Sequence, residues 1–239
     1  MSDWFESWFG EDYIALYPHR DDSEAAIAVA TVARIIGDQP VRRVLDLACG
    51  AGRHARHLAK HWLTFGLDLS EVLLRAAKRE SAPALFVRGD MRALPFRDDS
   101  FDLVTNFFTS FGYFDDDNEH RVVVREVARV SAENGLFVLD YLNAFQLRRT
   151  LVPYDERRIG DSVVEQHREI TSDGCCVVKT IKIRGDERQF VERVRLYTPE
   201  ELMSLVSAEG FEIESVIGDY NGGPLTPDSL RAIIIARRR

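Results

Sequence analysis

Two glycines one residue apart, Gly50 and Gly52, stand between the apolar run Val44-Leu45-Asp46-Leu47-Ala48-Cys49 and a helical pattern that begins at Arg53. Glycine lets backbone approach a ligand closely, and the first turn of a helix presents N–H groups that lack intrahelical partners. The segment Gly50-Ala51-Gly52-Arg53-His54-Ala55 satisfies the dinucleotide pattern G-x-G-x-x-A, and Asp68 follows in the range suited to a ribose. Asp46 separates two readings of this loop. A carboxylate at the strand end, beneath the loop, repels a pyrophosphate but attracts the ammonium of an amino-acid ligand, directly or through water. A ligand with an amino-acid end, a ribose and an adenine therefore suits these residues better than NAD does. Each acid also has a purely local role open to it. Asp46 can accept N–H groups of its own loop, Asp68 can cap a helix near Ser70, and Asp90 can serve a turn.

These acids need strands to hold them. Apolar runs at Arg43–Ala48, Leu63–Leu67, Ala84–Arg88, Phe101–Phe107 and Gly135–Asp140 read as strands, with helical segments at about 53–61, 71–80 and 116–131 between them. In the last helix Val123, Val127 and Val130 share one face while Arg121, Arg125 and Arg129 take the other. Strand and helix alternating in short units imply parallel pairing with right-handed crossovers. The glycines and acids then gather at the carboxyl ends of the strands, where open α/β sheets bind ligands. After residue 150 the rhythm changes. Val163–Ile170, Cys176–Arg184 and Phe190–Tyr197 are strand-like, and Ser172-Asp173-Gly174 and Gly185-Asp186-Glu187 are turn chemistry, which predicts an antiparallel meander. Thr198-Pro199-Glu200-Glu201 opens a helix that ends at Gly210, and strands follow at Phe211–Ile217 and Leu230–Ala236. The expected fold class is α/β: a doubly wound, mostly parallel, seven-stranded sheet with helices on both faces, plus an inserted antiparallel β-meander.

A chain of 239 residues with 45% apolar content suits one well-buried core. Its net charge of −8 and pI of about 5.3 supply no positive field for a phosphate backbone, which argues against a nucleic-acid partner. Cys49, Cys175 and Cys176 form neither a disulfide framework nor a zinc spacing, and adjacent cysteines in a strand point to opposite faces. No apolar stretch approaches the ~18 residues of a membrane span. The first residues carry Asp3, Glu6, Glu11 and Asp12 where a secretory signal carries positive charge. The expectation is a reduced, cytoplasmic protein without a membrane segment.

The run Leu45-Asp46-Leu47-Ala48-Cys49-Gly50-Ala51-Gly52 resembles the glycine-rich first motif of class I S-adenosylmethionine-dependent methyltransferases. Three further motifs follow in order. Gly66-Leu67-Asp68-Leu69-Ser70 resembles the second, whose acid binds both ribose hydroxyls. Gly89-Asp90-Met91-Arg92-Ala93-Leu94-Pro95-Phe96 resembles the third, in which the Asp accepts from the adenine amino group and the next N–H meets a ring nitrogen. Phe101-Asp102-Leu103-Val104-Thr105-Asn106 resembles the fourth-strand motif, followed by residues that line the reactive end of the cofactor. The resemblance covers residues 41–141 in detail and the later strand–helix order more loosely. It implies one Rossmann-like methyltransferase domain over 1–239, with an N-terminal helical cover at 1–37, a cofactor core at 41–141, an insertion at 151–197 and completing elements at 198–239. It also implies S-adenosyl-L-methionine as cofactor and S-adenosyl-L-homocysteine as product. Its implied cofactor-binding residues are Asp46, Ala48, Gly50, Gly52, Asp68, Leu69, Asp90, Met91, Asn106 and Phe107. The implied reaction is in-line methyl transfer to nitrogen or oxygen of a small-molecule acceptor, in which the protein's main task is alignment.

The acceptor end is read from the residues after the fourth strand, Asn106 to Phe114, which are rich in aromatic rings. They line either the methyl site or the core beside it, and Tyr113 is the one catalytic candidate, suited to orient a nucleophile. Trp4, Phe5, Trp8, Phe9, Tyr13 and Tyr17 fit one face of a helix that either packs on the core or covers a ligand. Asp21-Asp22-Ser23 can cap a helix that runs to about Ile36. Tyr17 and Arg20, with His19, are candidates for the cofactor carboxylate or are simply exposed. Asp140, Tyr141 and Asn143 follow strand five and can face the substrate. Asn106-Phe107-Phe108-Thr109 replaces the fourth-motif signature of adenine- and glutamine-methylating relatives, which counts against those substrates. His54, His57 and His61 share one helix without an acidic or cysteine partner nearby, so no metal is expected. In the meander Ile181 and Ile183 alternate with Thr180 and Lys182, a pattern that suits a substrate cover or a homodimer interface equally. Two other functions compete: tRNA methylation, disfavoured by the acidic charge, and non-catalytic S-adenosylmethionine binding.

Overall fold

The computed structural model describes residues 4–17, 22–80 and 83–239. Its strands are β1 (Arg43–Leu47), β2 (Leu63–Asp68), β3 (Leu85–Arg88), β4 (Phe101–Asn106), β5 (Ser131–Leu142), β6 (Tyr154–Ile159), β7 (Ser162–Ile170), β8 (Cys176–Ile183), β9 (Gln189–Arg195), β10 (Phe211–Ile217) and β11 (Arg231–Arg238). Its helices are α1 (Trp4–Trp8), α2 (Glu11–Leu16), α3 (Asp22–Ile36), α4 (Arg53–Leu58), α5 (Glu71–Arg79), α6 (Asp117–Val130), α7 (Ala144–Thr150) and α8 (Pro199–Ala208). A seven-stranded sheet runs in the order β10-β11-β5-β4-β1-β2-β3, parallel except where β11 pairs antiparallel with both β5 and β10. The order reverses between β4 and β1, which places a switch-point crevice at the end of β1.

The period of two along each buried strand decides which helices cover which face. Leu45, Val104, Phe137, Leu139 and Ile234 join Val123, Val127, Leu202 and Val206, so α6 and α8 cover one face. Val44, Leu103, Val138 and Ile233 join Ala28, Val29, Val32 and Leu58, so α3 and α4 cover the other. A second sheet, β6-β7-β8-β9, is an antiparallel meander. Between it and α5 lie the two N-terminal helices, with Trp8, Tyr13 and Leu16 packed against Leu73, Val164 and Ile181. No described helix is long and apolar enough to cross a membrane.

Three elements depart from the sequence expectation. The meander has four strands rather than three, because Tyr154-Asp155-Glu156-Arg157-Arg158-Ile159 is a charged edge strand whose side chains are mostly exposed. The N-terminal aromatic face belongs to two short helices, α1 and α2, broken at Gly10, which is extended at φ −123°. The short helix α7, capped by the Asn143 side chain accepting from the Phe145 N–H at 3.1 Å, has no counterpart in the expected pattern. Elsewhere the agreement is close. The expected start of α8 is a full capping box, with Thr198 and Glu201 exchanging side chain-to-backbone bonds.

Candidate active site

One cavity of about 430 Å³ opens at the carboxyl ends of β1, β2 and β4. Its sheet-side wall is the loop Ala48–Ala51, together with Asp68, Leu69, Asp90 and Met91. Ala48 and Gly50 both adopt left-handed backbone, at φ 55°, and this turns the loop sharply over the strand end. A Cβ at Gly50 meets only Leu73 Cδ1, at 3.9 Å, so this glycine serves the turn and leaves the loop open. Gly52 does something else. A Cβ there would lie 2.9 Å from the Phe86 ring and 3.0 Å from Ala77 Cβ, so Gly52 lets α4 start against β3 and α5 and does not form the cavity wall.

The three acids differ in surroundings. Asp68 Oδ2 accepts the Gly50 N–H and Oδ1 the Ser70 N–H, each at 2.8 Å, which ties the end of β2 to the glycine loop. Burial raises its carboxyl, although those N–H groups pull the other way. Asp90 is clamped by Arg92, whose Nη2 lies 2.6 Å from Oδ2. Burial opposes ionisation there, but the guanidinium and the Arg92 N–H outweigh it and hold the carboxyl below its ordinary range. Asp46 is 1% exposed and lies beneath the loop rather than in the wall. Its Oδ1 accepts the Thr105 hydroxyl at 3.2 Å, whereas Oδ2 makes no hydrogen bond of normal geometry among the described residues. Burial pushes this carboxyl up to about 7, against the pull of Thr105, the Ala55 N–H and the Arg53 charge. A buried carboxylate oxygen without a partner, next to a turned-back loop, suits a ligand that brings its own cation.

The opposite wall is aromatic. Phe5, Phe9, Tyr13 and Tyr17 come from the N-terminal segment, and Phe107, Phe108, Tyr113 and Phe114 from the loop after β4. Tyr113 packs edge-on to Trp4 at 5.3 Å and tilted on Phe9 at 5.6 Å, and its carbonyl accepts the Trp4 indole N–H at 3.2 Å. Phe108 and Thr109 both sit at positive φ, 59° and 61°, which is costly for side chains of this size. A buried network holds them. Asp140 Oδ2 accepts the Phe108 N–H at 2.8 Å and the Tyr220 hydroxyl at 2.6 Å, while Oδ1 pairs with Arg231 at 2.7 Å. Phe114 N–H donates to His120 Nε2 at 3.2 Å, which anchors the far end of the same loop.

Nine of the thirteen residues named from sequence meet at this cavity: Ala48, Gly50, Asp68, Leu69, Asp90, Met91, Phe107, Tyr17 and Tyr113. Gly52, Asp46 and Asn106 stand behind it. Asn106 is buried, and its amide donates to Leu47 O at 3.0 Å, clamping β4 to β1. Arg20, like His19, lies outside the described residues. The Tyr17 ring reaches the cavity, but its hydroxyl bonds to Lys179 and Glu192 on the meander. Asp140, Tyr141 and Asn143 do not face the cavity. Asp140 serves the network above, Tyr141 donates to Arg195 O, and Asn143 caps α7. His57 turns to Asp22 at 3.0 Å, and no group of three metal-ligating side chains occurs among the described residues. Sequence reasoning missed Arg53 and His54 as cavity residues. Their signal was position, immediately after the last glycine of the loop. His54 lies flat on Phe107, with ring centres 4.4 Å apart.

Comparison with known proteins agrees with this geometry. Residues 44–135 match the family model described as a methyltransferase domain. A demethylmenaquinone methyltransferase from Renibacterium salmoninarum is 38% identical over 109 residues, 45% of this chain and 44% of that one. The putative methyltransferase YqeM of Bacillus subtilis is 35% identical over 109 residues, 44% of each chain. The chain thus spans less than half the length of both relatives. The solved structure of S-adenosylmethionine-bound CalS10, an amino pentose methyltransferase from Micromonospora echinaspora, superposes with a TM-score of 0.72 at 26% identity, covering 96% of this chain and 97% of that one. Residues 44–135 are thus similar to a methyltransferase domain, and the seven-stranded sheet shares the Rossmann-like fold of the S-adenosylmethionine-bound neighbour.

Proposed function

We propose that this protein transfers a methyl group from S-adenosylmethionine to nitrogen or oxygen of a small-molecule acceptor, by in-line displacement. The observation that carries this reading is a single cavity with the glycine loop, Asp68 and Asp90 on one wall and eight aromatic rings on the other. When bound, the cofactor supplies a methyl group on a sulfonium, a good leaving group. Asp68 would accept from the ribose hydroxyls, Asp90 and the Met91 N–H would read the adenine edge, and Asp46 would neutralise the ammonium. The rings of the N-terminal helices and of the 107–114 loop would exclude water and align the acceptor, with Tyr113 orienting its nucleophile. The meander, to which Trp8 and Tyr17 bond through Glu192, would act as part of the acceptor cover.

The amino pentose methyltransferase among the structural neighbours and the demethylmenaquinone methyltransferase among the relatives, as named, favour a small acceptor over RNA. The net charge of −8 does so too. The test is transfer of labelled methyl from S-adenosylmethionine to panels of amino sugars, phenols and hydroxyquinones, with bulk tRNA alongside. Label in a small acceptor is the expected result. Label confined to tRNA, or cofactor binding without transfer to any acceptor, would replace this reading.

A further inference from the structure

The rings of α1 and α2 face the glycine loop across the cavity, and their segment is docked on several elements in turn. Phe5 stands edge-on to Phe114, with ring centres 5.5 Å apart. The Phe9 carbonyl accepts the Ser70 hydroxyl at 2.5 Å, and the Ser70 N–H goes to Asp68. Tyr13 and Leu16 pack on Leu73 of α5. A ligand on the glycine loop would lie between that loop and Phe5, Phe9, Tyr13 and Tyr17. The outer side of the segment rests on the meander. We propose that Glu192 of β9 is a positioning residue that latches α1 and α2 over the cavity and so sets the rate of cofactor exchange, an inference that rests on the cofactor reading above.

Glu192 gathers a donor from each part of the segment. Its Oε1 accepts the Trp8 indole N–H at 2.9 Å and the Tyr17 hydroxyl at 3.4 Å, while Oε2 pairs with Lys179 of β8 at 3.1 Å. Lys179 also donates to the Tyr17 hydroxyl, so carboxylate, ammonium and phenol close a ring. The Glu192 and Lys179 side chains are 19% and 16% exposed, which keeps most water away from these contacts. Hydrogen bonds to a carboxylate so placed are stronger than neutral ones. Apolar packing surrounds them. The Trp8 ring lies 4.6 Å from that of Phe190, and Trp8, Tyr13 and Leu16 cluster with Val164 and Ile181. The exposed pair Arg188–Asp12 joins the same elements but, open to solvent, adds little.

Neither Trp8 nor Glu192 lines the cavity, so their bond is the same with and without a ligand. A contact shared equally by the free and bound states cancels from the affinity. It still holds the segment down in both states, and entry and release alike require the ring wall to lift. The latch therefore acts on rates. Weakening it should speed uptake and release by similar factors and leave the dissociation constant nearly unchanged, whereas damage to the ring wall itself would weaken binding.

The experiment measures uptake of labelled S-adenosylhomocysteine, its release into unlabelled ligand, and its affinity by calorimetry. The proteins are the wild type, Glu192→Gln, Trp8→Phe and, as control, Asp155→Asn, which breaks the Asp155–Arg168 pair inside the same meander. Glu192→Gln keeps the shape but replaces a charged acceptor by a neutral one, so uptake and release should both rise about 3- to 10-fold. Trp8→Phe, which removes only the donor end of that bond, should act in the same direction. Both should keep their affinity within about threefold of wild type, which also shows that they are folded. Asp155→Asn should exchange ligand at the wild-type rate. Unchanged rates in Glu192→Gln, faster release with weaker affinity and unchanged uptake, or equal acceleration in Asp155→Asn would each overturn the latch and leave the cofactor reading standing. A wild type that does not bind S-adenosylhomocysteine overturns both.

Discussion

The two ends of the cavity are built by opposite means. At the cofactor end, backbone and short carboxylates are placed by strand register: β1 and β2 pair from Arg43 with Leu63 through Leu47 with Leu67, and β2 and β3 pair as far as Asp68 with Arg88. Asp46, Asp68 and Asp90 are fixed within or just beyond these ladders. At the aromatic end, the proposed acceptor site, the rings ride on two short helices and a loop that no ladder holds. Bonds between distant segments take the place of register: Trp8 to Glu192 at 2.9 Å, Trp4 to Tyr113 O at 3.2 Å, and Phe114 to His120 at 3.2 Å. A sheet end tolerates little change without loss of the fold. Loop-borne rings can be exchanged while the sheet stands, so on the proposed function the second end is where acceptor choice would vary.

The largest effect should come from the sheet-built end. Asp46→Asn keeps the side chain's shape and removes its charge, so affinity for S-adenosylhomocysteine should fall about 10- to 100-fold. The same change should stabilise the ligand-free protein at high pH. The folded carboxyl titrates at about 7, above its ordinary 3.8, so the wild type loses stability as pH rises between those values. The variant, which has no such titration, should gain about 2–3 kcal/mol relative to wild type between pH 5 and pH 8 in urea unfolding. An equal difference at both pH values would mean that Asp46 is satisfied within its own loop.

A smaller effect should mark the end held by side chains. His120 is fully buried, and because Nε2 accepts the Phe114 N–H, its proton sits on Nδ1, facing the Tyr197 oxygen 2.9 Å away. The Tyr197 hydroxyl in turn donates to Asp117 Oδ1 at 2.8 Å. Burial depresses the imidazole to about 4, with Asp117 opposing. A depressed histidine contributes stability above about pH 6.5 that is lost as pH falls toward 4. His120→Gln should therefore be less stable than wild type at pH 7.5, with the gap narrowing by about 1–2 kcal/mol at pH 5. A gap independent of pH would show that the ring merely fills space and does not tie the loop by its neutral form.

The same contrast explains what could be read from sequence. The glycine loop and the acids after β1, β2 and β3 were legible, because strand pattern, glycine and carboxylate lie within a few residues of one another. Gly52 reads as a ligand contact in the sequence, and the fold adds a constraint the sequence does not show: a Cβ there would meet the Phe86 ring, a neighbour only in the folded sheet. By sequence Asp140 and Tyr141 can face the substrate, but Tyr141 donates to Arg195 O and Asp140 serves Arg231 and Tyr220; these partners lie 54 to 91 residues away and leave no local signal. The edge strand β6 was missed because an exposed strand rich in charge has no apolar alternation to betray it.

The most direct test of the account is the cofactor itself: calorimetric titration of the wild type, Asp68→Ala and Asp68→Asn with S-adenosylmethionine, S-adenosylhomocysteine and NAD. The wild type should bind both sulfur ligands and not NAD. Asp68→Ala should lose about 100-fold or more through the ribose contacts, and Asp68→Asn, which keeps one acceptor for the Gly50 N–H, should lose less. Binding of NAD without binding of either sulfur ligand would contradict it and assign the glycine loop to a dinucleotide.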